Sequence, residues 1–401
     1  MNRVVPEDEN EAVLKLQSYR ENPEMSKDNI EEELPDSDEE ENTDMQVPLA
    51  PEIHNESIRY AGTDYVRRRS QPETTWKWFN KMLPEPGFKQ KIRIHALTWN
   101  MFGKDPPENL NKILPSECRA HLYVLATQEC LRSIGQSLFY SSKKSWEGKI
   151  ALHLGKDYKI HGAGSLGATH LVIFAHVSLY DLLTPPIIKN ISTGVGNIIA
   201  NKGAVSISFN ISQTSLLFVG CHLAAGQNSI AKRNSDFRRI EKEILKDSEK
   251  ASEIFDVCVY IGDLNYRING TREDVELLID YNLLDPLRKG DQLRTELLEN
   301  TCFIGFKEGF LGFNPTYRFD CGTDTYDTSK KKRIPAWTDR ILYKTKNENL
   351  VLKKYDCVDT CLNSDHKPVF AQFSLKYALQ NQNKVVSNVV VESKSRTCLV
   401  F

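Results

Sequence analysis

The run FDVCVYI at positions 255–261 is short, apolar and rich in β-branched residues, and it stops at Gly262. Seven such residues suit a buried strand better than a helix. Polar residues follow at once. Asp263 and Asn265 lie two apart, so on extended chain both can face one side. A carboxylate and a carboxamide at the mouth of a buried strand make a poor core and a good site, although alone they fit an Asx turn equally well. The arrangement recurs. Residues 92–100 (IRIHALTWN) end in Asn100, 122–129 (LYVLATQE) in Glu129, and 215–222 (SLLFVGCH) in His222; Asp365 and His366 directly precede the strand at 369–375. Singly, Glu129 reads as a surface acid and His222 as a core histidine. Together, acids, amides and imidazoles at the ends of successive apolar strands predict a catalytic site.

The remaining pattern gives the fold class. Residues 168–176 and 203–211 read as a strand pair, and 340–343 as a late strand. Helical spacing covers 228–250, 274–282 and 292–300. Strands outnumber dispersed helices, which predicts an α/β chain with two sheets face to face and helices outside. The 401 residues are 40% hydrophobic and 26% charged, enough for a large core, and no run approaches a membrane span. The net charge of −2 offers no overall basic footprint for nucleic acid. The N-terminus carries no secretory apolar region, so the nine scattered cysteines read as reduced thiols. Residues 1–85 are expected to be a mostly disordered acidic region, 86–378 the catalytic domain, and 379–401 a flexible tail.

Eight motifs then resemble one family in order: WNMFG at 99–103, QE at 128–129, NKG at 201–203, HLAA at 222–225, RNSD at 233–236, GDLNYR at 262–267, PAWTDR at 335–340 and SDHKP at 364–368. They resemble the inositol polyphosphate 5-phosphatases of the DNase I-like endonuclease/exonuclease/phosphatase superfamily. GDLNYR with PAWTDR is specific to that family, whereas Ser-Asp-His is shared with nucleases. The resemblance covers roughly residues 90–376. It implies a four-layer α-β-β-α sandwich and Mg²⁺-dependent removal of the 5-phosphate from phosphoinositides or inositol phosphates.

Roles follow from that resemblance and from the chemistry. Mg²⁺ prefers oxygen and needs one or two carboxylates, which points to Glu129 with Asn100 beside it. Asp263 is expected to take a proton from the attacking water, with Asn265 holding water or phosphate. His366 and His222 are expected to donate to the phosphoryl group, Asp339 to orient His366, and Asp365 to sit near the metal. Asn201, Lys202, Arg233 and Asn234 stand at family substrate-binding positions. Tyr317, Arg318, Lys331 and Arg333 are placed by resemblance around the 4-phosphate, where basic clusters suit multiply charged heads. Arg318 stands where lysine is common, Ala200 where glycine is common and Thr338 where cysteine is frequent.

Two features point to a membrane. The chain ends CLVF, a C-a-a-X pattern that predicts prenylation at Cys398, with phenylalanine leaning toward geranylgeranyl. One prenyl chain anchors weakly, so a second contact is needed. Ile198 and Ile199, adjacent in a Gly/Asn-rich loop beside Asn201 and Lys202, are expected to enter the acyl region. The expected protein is a cytoplasmic monomer held at the cytosolic face of a membrane, with no nucleic-acid partner. The alternatives are a nuclease on the same fold and a lipid-binding pseudoenzyme.

Overall fold

A computed structural model of the protein describes residues 91–115, 119–131, 143–194, 202–246 and 250–377. Twelve strands form two six-stranded sheets among these residues. They are β1 (Lys91–Asn100), β2 (Leu122–Gln128), β3 (Tyr158–Leu166), β4 (Thr169–His176), β5 (Ile187–Ser192), β6 (Gly203–Ile211), β7 (Thr214–His222), β8 (Val257–Asp263), β9 (Lys307–Glu308), β10 (Asp339–Thr345), β11 (Leu350–Cys357) and β12 (Val369–Lys376). The first sheet runs β11-β12-β1-β2-β4-β3 and the second β5-β6-β7-β8-β10-β9. Helix α1 (Lys144–Leu154) comes before β3, and α2 (Ile230–Leu245) and the short α3 (Ala251–Ile254) come before β8. Helices α4 (Arg272–Asp280), α5 (Leu284–Gly290) and α6 (Gln292–Leu298) follow β8.

Period-two alternation sorts each strand between two environments. Ile92, Ile94 and Ala96 of β1 face the second sheet, where they meet Val257, Val259 and Ile261 of β8 and Leu216 and Phe218 of β7 in one core. Leu97 and Trp99 face outward onto Trp146 and Ile150 of α1. On the opposite flank, Leu217, Val219 and Tyr260 meet Phe237, Ile240 and Ile244 of α2. The layers are therefore helix, sheet, sheet, helix, as the sequence led one to expect.

One expected pairing is corrected. Strands β4 and β6 do not pair; they lie in different sheets. Strand β5 forms an antiparallel ladder with β6, and β3 with β4. Each strand thus takes its nearest sequence neighbour, which closes the shorter loop.

The centre of each sheet is a parallel pair, β1 with β2 and β7 with β8. Parallel strands end at the same edge, and their registers join Asn100 to Gln128 and His222 to Asp263. Gly262 serves the second pair by close approach. A Cβ there would lie 2.0 Å from the Cys221 carbonyl oxygen, and φ is +154°. Glycine is required inside the strand, and the expected exit at Gly262 falls after Asp263 instead.

Candidate active site

The inward rows of both sheets stay apolar for several residues and then turn polar at one end. In β1 the row Ile92, Ile94, Ala96 reaches Asn100; in β8 the row Val257, Val259, Ile261 reaches Asp263. His222 ends β7 and Asp339 begins β10, paired with Asp263 from either side. The site is the polar end of the inter-sheet core.

Asn100 joins the sheets. Its Nδ2 donates to Asp263 Oδ2 at 3.1 Å and to Glu129 Oε1 at 3.3 Å, while its Oδ1 accepts from the Phe102 N–H at 3.0 Å. His222 Nε2 is 3.3 Å from Asp263 Oδ2 and 2.6 Å from Lys202 Nζ. One nitrogen cannot serve a donor and an acceptor in one tautomer, so the ring either accepts from Lys202 or donates to Asp263. Burial favours the neutral acid at Asp263. The His222 hydrogen bond and the charges of His222, His366 and Lys202 outweigh it and hold Asp263 well below the usual carboxylate range.

Asp263 Oδ1 accepts from the Asn265 N–H at 3.1 Å. That is the local Asx contact weighed above, present within the site. Asn265 then turns left-handed at φ +59°, a conformation asparagine tolerates, so the chain turns here and does not continue extended.

A second pair sits beside this group. His366 Nδ1 is 2.6 Å from Asp339 Oδ2, which also accepts from Thr338 Oγ1 at 3.0 Å. Burial disfavours the imidazolium, yet Asp339, then Asp365 and Asp263, raise His366 from 6.5 to about 10. Burial pushes Asp339 up as well. The pair carries one proton, and three surrounding carboxylates place it on the imidazole. Burial likewise raises Asp365, which lies 3.4 Å from Arg318 Nε and accepts from Ser364 Oγ at 3.3 Å. Ser364 Oγ sits 2.7 Å from the Asn100 carbonyl, tying the Ser-Asp-His segment to β1.

The donor set, all oxygen, suits a hard divalent cation. The Glu129 side chain is 16% exposed, follows β2 directly, and turns left-handed at φ +53°. Among the described residues no three His, Cys, Asp or Glu side chains gather into a metal cage. A Mg²⁺ site does not need one, because water and phosphate complete it. Glu129 would hold the ion. Asn100 stands beside it: its amide bridges two carboxylates, and its oxygen accepts one N–H and keeps a second lone pair.

The other expected contacts divide. Tyr317 is buried with its ring 4.5 Å from that of His366, and Arg318 stacks 5.3 Å over the exposed Phe102 ring. Arg333 is half-buried against Asp327 at 3.5 Å, and Lys331 is exposed. Arg233 is corrected. It is fully buried, with Nη1 on the carbonyls of Gly226 at 2.6 Å and Ala224 at 3.3 Å and Nη2 on Gln292 Oε1 at 2.8 Å. Its guanidinium holds the turn after His222 and does not face a substrate. Asn234 is buried, and its Oδ1 accepts from the Tyr266 hydroxyl at 2.5 Å. Lys202 points to His222, with Nζ 2.6 Å from Nε2. Asn201, Ile198, Ile199 and Cys398 lie outside the described residues.

A parallel-paired strand end with carboxylates, imidazoles and a carboxamide, set between two sheets, defines a phosphoester hydrolase of the DNase I-like class. Comparison with known proteins gives the family. Residues 97–372 match the endonuclease/exonuclease/phosphatase family 2. The chain is 34% identical over 296 residues to the type IV inositol polyphosphate 5-phosphatase 11 of Arabidopsis thaliana, covering 72% of this chain and 84% of that protein. It is 34% identical to the phosphatidylinositol 4,5-bisphosphate 5-phosphatase INP51 of Saccharomyces cerevisiae, covering 74% of this chain but only 33% of that one. Among solved structures, the inositol polyphosphate 5-phosphatase domain of spSynaptojanin, in complex with inositol (1,4)-bisphosphate and calcium ion, superposes with a TM-score of 0.64 at 32% identity, over 75% of this chain and 90% of that one. The chain belongs to the inositol polyphosphate 5-phosphatases of the endonuclease/exonuclease/phosphatase superfamily.

Proposed function

We propose that this enzyme uses Mg²⁺ to hydrolyse the 5-phosphate of phosphatidylinositol 4,5-bisphosphate, with phosphatidylinositol 3,4,5-trisphosphate and soluble inositol polyphosphates as further candidate substrates. The observation that carries the reading is the Asn100–Asp263 bond between the sheets, with Glu129 on one side and the Asp339–His366 pair on the other. When bound, the metal would supply charge neutralisation at the phosphoryl oxygens and the leaving oxygen. The residues do the rest. Asp263, anionic at any working pH, orients the water and receives its proton as the bond to phosphorus forms; in a loose transition state that transfer is late. His366, held protonated, and Lys202 donate to non-bridging oxygens, and His222 does the same once its Nε2–H turns from Asp263 to the phosphoryl group. Arg318, Lys331, Arg333 and Tyr317 favour a headgroup with a 4-phosphate.

The membrane reading rests on sequence: prenylation at Cys398, acyl contact by Ile198 and Ile199, and residence on a cytosolic membrane face as a monomer. Phosphate release with Mg²⁺ and with chelator tests the reaction, using vesicles containing phosphatidylinositol 4,5-bisphosphate and soluble inositol 1,4,5-trisphosphate. Asp263→Asn should remain folded and lose turnover; near-normal release by that variant overturns its role. Cleavage of duplex or abasic DNA in place of headgroups would favour the nuclease, and vesicle binding without release the pseudoenzyme.

A further inference from the structure

Arg267 is 94% buried but has no carboxylate partner among the described residues. Burying a charge is costly unless its hydrogens are used, so the groups that use them show what it is for. Nη2 donates to the Asn265 side-chain oxygen at 2.7 Å, and Nε donates to the Asn265 carbonyl at 3.1 Å. The guanidinium carbon lies 4.6 Å from the centre of the Tyr317 ring, the ring that meets His366 at 4.5 Å. Its backbone N–H is fixed by Gln292 Oε1 at 3.0 Å.

We propose that Arg267 is the positioning residue that sets which way the Asn265 carboxamide faces and where Tyr317 leans on His366. A carboxamide can turn over with almost no change of shape, so its orientation is set by what surrounds it. Here Oδ1 receives the guanidinium and Nδ2 donates to the Leu223 carbonyl at 3.1 Å. Turned over, the NH₂ would oppose a guanidinium that can only donate, and the oxygen would oppose a carbonyl that can only accept. Arg267 excludes that state. One N–H of Asn265 is spent on Leu223, and the other is thereby held to a single direction. Lysine keeps the charge but loses the planar fork and the stack, so it cannot hold both oxygens and the ring together.

The inference rests on the proposed phosphatase reading and is tested with soluble inositol 1,4,5-trisphosphate. Arg267→Ala should lower kcat about a hundredfold with KM little changed, as expected for a misplaced reacting group. Arg267→Lys should recover only part of the loss. Methylguanidinium, added at millimolar concentration, should restore turnover to Arg267→Ala and not to Arg267→Lys. Asn265→Ala should cost little more in the Arg267→Ala background than Arg267→Ala does alone. Losses that multiply in the double variant, in proteins that melt as wild type does, would overturn the proposal. If wild-type protein releases no phosphate, the reaction reading fails and the positioning claim is decided separately. The Asn265 side-chain amide resonances in ¹⁵N-labelled protein should then move in Arg267→Ala and return with methylguanidinium; unmoved resonances refute it.

Discussion

Replacing Asp339 with asparagine keeps the shape beside His366 and removes the nearest charge. Holding the imidazolium from its ordinary 6.5 up to about 10 corresponds to about 5 kcal/mol, at about 1.4 kcal/mol per pH decade. Asp339, at 2.6 Å, is the largest attraction, and Asp365 and Asp263 remain in the variant. Asp339 supplies both the largest attraction and a hydrogen bond while the burial penalty stays, so at least half of the hold, about 2–3 kcal/mol or more, should go and His366 should fall from about 10 to 8 or below. Wild-type His366 then stays protonated across the neutral range, whereas Asp339→Asn should lose its phosphate-gripping charge as the pH rises past about 8. The linkage has a definite sign. A folded-state pKa raised above the unfolded value stabilises the fold fully below about pH 6.5, and that stability fades as the pH rises toward 10. Asp339→Asn should therefore be less stable than wild type at pH 6, with the gap closing in alkali. The assay is an NMR titration of the His366 ring carbon alongside a pH–rate profile. A variant whose His366 still titrates near 10 would show that Asp339 is not what holds the proton, and the pairing argument would fail.

His95 gives an acid-side prediction of opposite sign. It is 1% exposed, and burial followed by the charge of Lys354 lowers it to about 4. The unfolded chain takes the proton first, so stability present above pH 6.5 should fall by about 2 kcal/mol by pH 5; urea midpoints should show that slope, and His95→Phe should remove its share. Lys331→Ala with Arg333→Ala should weaken cleavage of headgroups bearing a 4-phosphate, and unchanged kcat/KM would refute the 4-phosphate assignment. Ile198→Asp with Ile199→Asp should cut vesicle hydrolysis by about tenfold and spare the soluble substrate; equal loss on both would make the loop a pocket support. Cys398→Ser should move the protein from membrane to soluble fraction, and unchanged partitioning would count against prenylation.

The strand ends were legible because each joins two strong signals, an apolar β-branched run and an abrupt polar residue. Asn100, Glu129, His222 and Asp263 could be picked out that way. Other strands gave no such contrast. β3 carries Gly162 and Gly164 and a register shift between Ile160 and Gly162. A Cβ at Gly164 would lie 2.7 Å from Val205 and 2.8 Å from Ile188, so tight packing replaced the alternation that would have betrayed the strand. β11 interrupts its apolar row with Lys353 and Lys354 on a sheet edge. Arg233 and Arg267 show the limit for charges. Residue type says that a cation is there, but only packing says whether it meets substrate, a backbone carbonyl or a carboxamide. Arg267 has a place in GDLNYR, but nothing in the sequence separates its role from that of any other cation.

The polar ends of the inward rows also act as stops against mispairing. If β8 slid by one residue against β7, Asp263 would leave its place opposite His222 and every side chain of the strand would change face. Tyr260 would enter the inter-sheet core, and Gly262, whose missing Cβ admits the Cys221 carbonyl, would no longer sit against it. A slip of β10 would turn the fully buried Arg340 inward, away from Asp291 and Glu308. Each error strands a charge in an apolar space, at a cost of several kcal/mol. The residues that make the chemistry possible therefore also proofread the assembly of the sandwich, and a chain that folds at all arrives with its site aligned.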